Sequence, residues 1–312
     1  VYDMRDSLEV EKGSSVKLRL SNKVNVNEYD RASFKYNTTL PLVYLGYTPD
    51  DGVLLGGGFI RTTYAFRKTP YATRQQFVGG VSFLTGAFKV KYTGYFTKAI
   101  GKLDIYLSAD LQSPRNSNFY GLGNESIKDP SEKSPYYRFN YSDFKVDPML
   151  LWNISSKHKF KFGLAYRRTH VEEDRFTSGG YINETNWKDF LEDPVGQQNY
   201  LGVQANYEYD SRDNPSITKK GTYFSLGMST LGRLDNEFAN FTNIRSELAF
   251  FKTVKLPRDL TFGLRFGGAM NIGDYHYLLS NKIGGKSSLR GYRRDRFYGR
   301  SSLYNTCLLY TS

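Results

Sequence analysis

The sequence holds a single cysteine, Cys307, among 312 residues. That excludes an internal disulfide and any cysteine-built metal cage, so backbone hydrogen bonds and packing have to supply the stability. Histidine is nearly as scarce. His158, His170 and His276 lie far apart, on or beside alternating stretches, which favours surface or lumen positions over metal ligands or general bases. No run reaches the roughly 18 apolar residues of a membrane-spanning helix, and no G-x-S-x-G nucleophile elbow is present. Gly285-Lys286-Ser287 has the end of a phosphate-binding loop, but Ser280 stands where the first glycine of that loop is required. No catalytic residue, metal ligand or cofactor is expected. The opening stretch Val1 to Gly13 is charged and has no apolar h-region, so export information is expected ahead of Val1.

What the chain does have is aromatics and glycine. With 26 Tyr, 22 Phe and 29 Gly against 4 Met, it favours pleated strands and tight turns over helices. The mean hydropathy of -0.55 is that of a soluble protein. A transmembrane barrel has the same average, because only alternate residues meet lipid while the others line a polar lumen. The net charge of +12 would suit nucleic acid or an anionic membrane surface, but a charged lumen and rim account for it equally well. The lumen and rim are the favoured reading. The basic stretch Arg290 to Arg300, with Tyr292, Phe297 and Tyr298, is therefore not assigned to nucleic acid, and no nucleic-acid partner is expected.

Period-two alternation dominates the chain. Phe160, Phe162, Leu164 and Tyr166 share one face, and Lys159, Lys161, Gly163 and Ala165 the other. Phe262, Leu264 and Phe266 oppose Arg265 in the same way. Similar dyads run through residues 88–96, 103–109 and 201–210, giving about twelve stretches near or above the roughly 10 residues that cross a bilayer as a tilted strand. Short connections at Lys98 to Gly101 and Pro257 to Asp259 alternate with long polar ones at Ser113 to Tyr137, Glu172 to Asn199 and Gly273 to Tyr298. Periplasmic turns and extracellular loops differ in just this way. The expected fold is an all-β, antiparallel transmembrane barrel. Tyr44, Tyr47, Tyr64, Tyr71, Tyr92, Tyr95, Tyr207, Tyr209 and Tyr223 are candidates for its interfacial aromatic girdles.

Two segments are more specific. Ile283 to Gly299, IGGKSSLRGYRRDRFYG, contains Arg290-Gly291-Tyr292. Tyr209 to Gly221, YDSRDNPSITKKG, contains Asp210, Arg212, Asp213, Asn214 and Pro215. The first resembles the RGY/RGF signature, and the second the D-x-R-D-N-P turn, of the BamA/TamA-like family of outer-membrane barrels, also called the bacterial surface antigen family. Ile217 and Thr218 stand where that turn has a second proline. Phe119 to Ser126, FYGLGNES, is similar to a loop of members fused to an upstream metallophosphoesterase. The resemblance extends over about residues 30 to 305.

The resemblance implies a barrel in the outer membrane of a Gram-negative bacterium, with outer-membrane lipid and exported or membrane-inserting proteins as partners. It implies that the RGY loop folds into the lumen, where Arg290 pairs with an acidic residue of a later strand, Gly291 permits the turn and Tyr292 packs on the inner wall. It also implies about sixteen strands, so about four are expected to be missing here, with the acidic partner of Arg290 among them. Glu208, Glu247 or solvent is expected to take Arg290 in this chain. The tail Thr306 to Ser312 lacks the expected acidic strand and is read as foreign to the native sequence. Residues 1–28 are expected to be a linker or the end of an upstream region, and residues 29–312 the barrel, cut short at its carboxyl end. The competing reading is a membrane anchor for an upstream phosphoesterase or lipase domain. A passive porin or receptor would leave the RGY context without a role.

Overall fold

The computed structural model describes residues 2–4, 19–22, 34–48, 51–65, 68–171, 181, 195–235, 240–255 and 259–311. The boundary expected near residue 28 and most of the connection expected at Glu172 to Asn199 lie outside the described residues.

Twelve strands form one sheet: β1 (Thr38–Thr48), β2 (Gly52–Ala65), β3 (Lys68–Ser82), β4 (Phe88–Ile100), β5 (Leu103–Asn118), β6 (Arg138–Asn153), β7 (His158–Val171), β8 (Gly196–Asp210), β9 (Gly221–Arg233), β10 (Asn240–Lys255), β11 (Asp259–Gly273) and β12 (Ser301–Thr311). Each strand pairs antiparallel with its sequence neighbour. At 11 to 16 residues they are long enough to cross about 30 Å of hydrocarbon while tilted. Among the described residues no ladder joins β1 to β12, so the sheet is curved but open. The curvature is visible in contacts across it. The connection that leaves β11 reaches β5, six strands away.

Two expectations about where strands end need correction. β5 continues past Ser113 to Asn118, because the register shift between Gln112 and Arg115 absorbs Pro114, which has no N–H to give a ladder. β4 likewise runs through Lys98 to Ile100, leaving only a short turn before β5. The final strand pairs with β11 as far as Thr311, so the tail continues the sheet.

Alternation divides the wall into two faces. On the convex face Phe162, Leu164, Phe262, Leu264 and Phe266 are exposed, as are Leu303 and Leu309 on β12. On the concave face Lys161 lines a central cavity, and Lys159 and Arg265 bond to Glu208 and Glu247 of that cavity. The tyrosines divide between the faces as well, which corrects the girdle expectation. Tyr95 packs tilted at 4.8 Å against Tyr106 inside, Tyr223 lines the cavity, and Tyr44 lies over Gly56 and Gly80, where a Cβ would collide with its ring. An aromatic ring needs a vacant neighbouring position to lie flat on a sheet, and paired glycines supply it.

Leu164→Arg, on the lipid face midway along β7, should cost about 2–4 kcal/mol of folding free energy. Ser225→Arg faces the lumen opposite both Glu208 and Glu247, and should cost less than about 1 kcal/mol. Urea titrations of folding into lipid vesicles check this. Equal costs for the two variants would mean that the faces are assigned the wrong way round.

Candidate functional site: the lumen and its inward loop

Because every second residue of β5 to β12 points inward, the concave wall gathers side chains from strands far apart in sequence. They enclose a cavity of about 780 Å³. Its ion pairs cross between neighbouring strands, except that Lys145 and Asp143 share β6. Arg115 and Lys145 meet Asp143 at 2.7 and 2.9 Å, Arg167 meets Asp147 at 2.6 Å, and Arg265 meets Glu247 at 2.5 Å.

The connection between β11 and β12 closes over this space. It begins with a short 3-10 turn, Tyr277–Leu279, whose Leu278 N–H is accepted by the His276 ring. An amide ladder fastens it to the wall. Asn243 donates to Asn281, Asn271 donates to the Leu279 carbonyl, and Asn281 donates to the Arg300 carbonyl. Asn281–Ile283 and Phe297–Gly299 then pair as a two-stranded stem.

Beyond the stem the chain turns inward. Arg265 Nη1 donates to the Ser287 carbonyl at 2.9 Å, and the Thr306 hydroxyl faces the Ser288 carbonyl at 3.5 Å. Both are inner-wall side chains from the middle of their strands. Gly284 makes the turn possible: its φ is +137°, and a Cβ there would lie 2.2 Å from the Arg293 carbonyl. Gly291 has φ +92°, which any side chain would strain, with no neighbour crowding it. Arg290, two residues past Ser288, is exposed and has no ion-pair or hydrogen-bond partner among the described residues. Glu247 is held by Arg265 and Tyr304, and Glu208 by Lys159. Tyr292 is 51% exposed and packs tilted against Phe297 of its own loop at 5.5 Å.

The segment Phe119 to Ser126 docks on the far side of the same stem, a contact that nothing in either motif announces. Arg296 lies over the Tyr120 and Phe297 rings at 4.6 and 4.5 Å and donates twice to Ser126. Gly123 N–H donates to the Tyr298 carbonyl, and Ser117 bonds both Tyr298 and Asp295. Phe119, Phe139, Tyr141, Val171, Tyr277, Leu278 and Tyr298 pack into one buried cluster, so the long-loop end carries an aromatic cap. Under it Lys282 places its ammonium 4.5 Å from the Tyr298 ring and 5.8 Å from the Tyr141 ring. Burial pushes Lys282 down to about 8, against the pull of Asp295 and with the help of Arg115 and Lys145.

At the opposite, short-turn end the second motif is a self-contained knot. Arg212 grips Asp210 with two bonds at 2.9 and 2.8 Å and lies over Tyr223. Asp213 Oδ1 accepts the backbone N–H groups of Asn214, Lys219 and Lys220 at 3.0 to 3.2 Å. Desolvation alone would raise the Asp213 carboxyl, but these three donors hold it below the usual carboxylate range. Asn214 accepts from Ser216 and Ile217, and the Thr218 hydroxyl returns to the Asn214 carbonyl. Thr218 thus closes the turn where a second proline was expected, next to Pro215. The knot and the RGY loop sit at different ends of the barrel wall, and the structure does not bring them together.

A family model described as the Omp85 superfamily domain matches residues 12–302. No curated protein matches the chain. Among solved structures the chain is similar to a crystal structure of BamA from Haemophilus ducreyi lacking POTRA domains 1-3. The TM-score is 0.61 at 10% identity, over 84% of this chain and 47% of that one. At that identity the likeness carries the fold alone, and the chain spans about half the length of that structure.

The Lys282 ammonium sets a pH dependence. A lysine held at about 8 when folded and near its ordinary 10.5 when unfolded is bound less tightly to its proton in the native state, so stability rises with pH between those values. From pH 7 to 9.5 the wild type should gain up to about 2 kcal/mol relative to Lys282→Met. Urea midpoints at both pH values for both proteins check it, and parallel curves would rule out an enclosed Lys282.

Proposed function

The chain belongs to the Omp85 superfamily, and from that membership we propose that it forms the transport barrel of a protein that inserts other proteins into the bacterial outer membrane or passes them across it. The observation that carries the reading is the Ile283 to Gly299 loop, which bends into the lumen and rests on Arg265 and Thr306. In this reading Arg290 is the loop's anchor, awaiting a carboxylate from strands beyond β12. Gly291 shapes the tip, and Tyr292 braces it through Phe297. Asp210, Arg212, Asp213, Asn214 and Pro215 stiffen the opposite rim.

Substrate strands would be handled at a seam of the sheet, where the edge of β1 presents backbone N–H and carbonyl groups to a pairing strand. The exposed convex face meets outer-membrane lipid. The barrel itself carries out no covalent chemistry and binds no cofactor or nucleic acid. In this reading residues 1–28 are a linker and residues 29–312 the barrel. The likeness of Phe119 to Ser126 to a loop of members fused to an upstream metallophosphoesterase supports a second reading, in which the barrel anchors or displays an upstream phosphoesterase or lipase domain.

Arg290→Ala in the intact protein should lower the rate of insertion or export by about tenfold or more, equivalent to about 1.4 kcal/mol of lost loop anchoring. An insertion assay, together with the heat-modifiability shift on gels, measures it. Unchanged activity and an unchanged shift would leave the loop without a mechanistic part.

A further inference from the structure

The inner wall carries more positive charge than its acids balance. Six basic side chains line the cavity, Arg115, Lys145, Lys161, Arg167, Arg245 and Lys282, against Asp143, Glu208 and Glu247. Each of those carboxylates is already engaged. Asp143 holds both Arg115 and Lys145, Glu208 holds Lys159, and Glu247 holds Arg265. Asp147 is bonded by Arg167 and by the Gln204 amide through the same oxygen, Oδ1. Lys282 rests on aromatic rings.

Lys161 and Arg245 are left with no carboxylate among the described residues. The Lys161 ammonium lies 5.7 Å from the Tyr106 ring. Among the described residues Arg245 donates through Nε to Asn243 and its two terminal nitrogens have no partner. Arg245 also feels the repulsion of Arg167 and the pull of Asp147, so two guanidiniums share the field of one carboxylate.

Register places the two cations on one rung of the wall. Arg245 is opposite Gly227, Gly227 opposite Asn206, and Asn206 opposite Lys161. Three strand spacings separate their backbones, about 14 Å, and the charged heads stay apart because Lys161 leans away to Tyr106, leaving Arg167 and Asp147 as the charges that act on Arg245. Between the two cations stand a residue with no side chain and an amide that leans over it. A single small anion cannot bridge that distance. An extended peptide can, because residues four apart lie on the same face about 13 Å from each other.

We propose that the Arg245–Lys161 rung binds acidic polypeptide segments that enter the lumen, with one carboxylate on the Arg245 fork and a second, about four residues away, on Lys161. The proposal rests on reading the lumen as a protein-handling space, and it names the class of segment that the lumen favours.

Fluorescence anisotropy on the intact protein in detergent tests it, with rhodamine-labelled peptides carrying glutamate, lysine or serine at alternate positions. The glutamate peptide should bind and the lysine peptide should not. Binding should weaken with salt as the Debye length falls toward about 3 Å at 1 M. Arg245→Gln combined with Lys161→Gln should weaken the glutamate peptide about tenfold, and Arg245→Glu should abolish its binding, with heat-modifiability unchanged in both. Equal affinity in the double variant, or equal binding of the lysine peptide, would overturn the site. Displacement by inorganic phosphate as readily as by unlabelled glutamate peptide would overturn the polypeptide as its ligand. Should the intact protein neither insert nor export other proteins while the glutamate peptide still needs Arg245 and Lys161, the transport reading falls and the site stands.

Discussion

Backbone amides and carbonyls at membrane depth have no water to bond, and each one left bare costs several kcal/mol. The rest of this structure follows from that constraint. Among the described residues twelve strands in sequential pairing satisfy the ladder except at the outer edges of β1 and β12 and at register shifts between β2 and β3, β4 and β5, and β5 and β6. Irregularities are few, and where the β5–β6 register shifts between Gln112 and Arg115 it does so at the residue that cannot donate, Pro114. The same requirement makes an unpaired edge such as that of β1 the most reactive backbone in the sheet, which ties a structural necessity to the proposed handling of substrate strands.

Paired strands alternate their side chains, so a wall with lipid on one side must place its polar groups on the other. That sorting concentrates charge in the lumen, and the charge organises what lies inside. Arg265 illustrates the coupling. Pinned by Glu247 and Tyr304, it can offer Nη1 to the Ser287 carbonyl, and so a salt bridge of the wall also seats the tip of the loop. The loop needs glycine at 284 because its own backbone at Arg293 and Arg296 passes too close for a side chain. At the long-loop end, aromatic packing around Tyr298 closes the cap and leaves Lys282 half-buried beneath it, facing the cavity.

Much of this architecture was legible in the residues. The dyads at Phe160 to Tyr166 and Phe262 to Phe266 predict both strand and face, because a strand's orientation is a local property repeated every two residues. The Asp210 to Pro215 turn was legible for a similar reason: Asp213 and Asn214 bond to groups no more than seven residues away. Tyrosines were harder. A tyrosine suits either a lipid interface or a lumen wall, so the inward placement of Tyr44, Tyr95 and Tyr223 depended on their neighbours, Gly56 and Tyr106 among them.

The sequence by itself determined the all-β class, the length and alternation of the strands, and the positions of the two motif segments, since each follows from contacts within a hairpin. Only the tertiary structure decided which charges meet. Arg296 finds Tyr120 and Ser126 about 170 positions away, Ser117 finds Tyr298, and Arg115 and Lys145 converge on one Asp143. Arg245 and Lys161 end without a carboxylate because curvature and register, set by the whole sheet, bring them to a rung where Gly227 and Asn206 stand between them. Pair energies of charged groups depend on separation and on the medium between them, and neither is written in the order of residues along the chain.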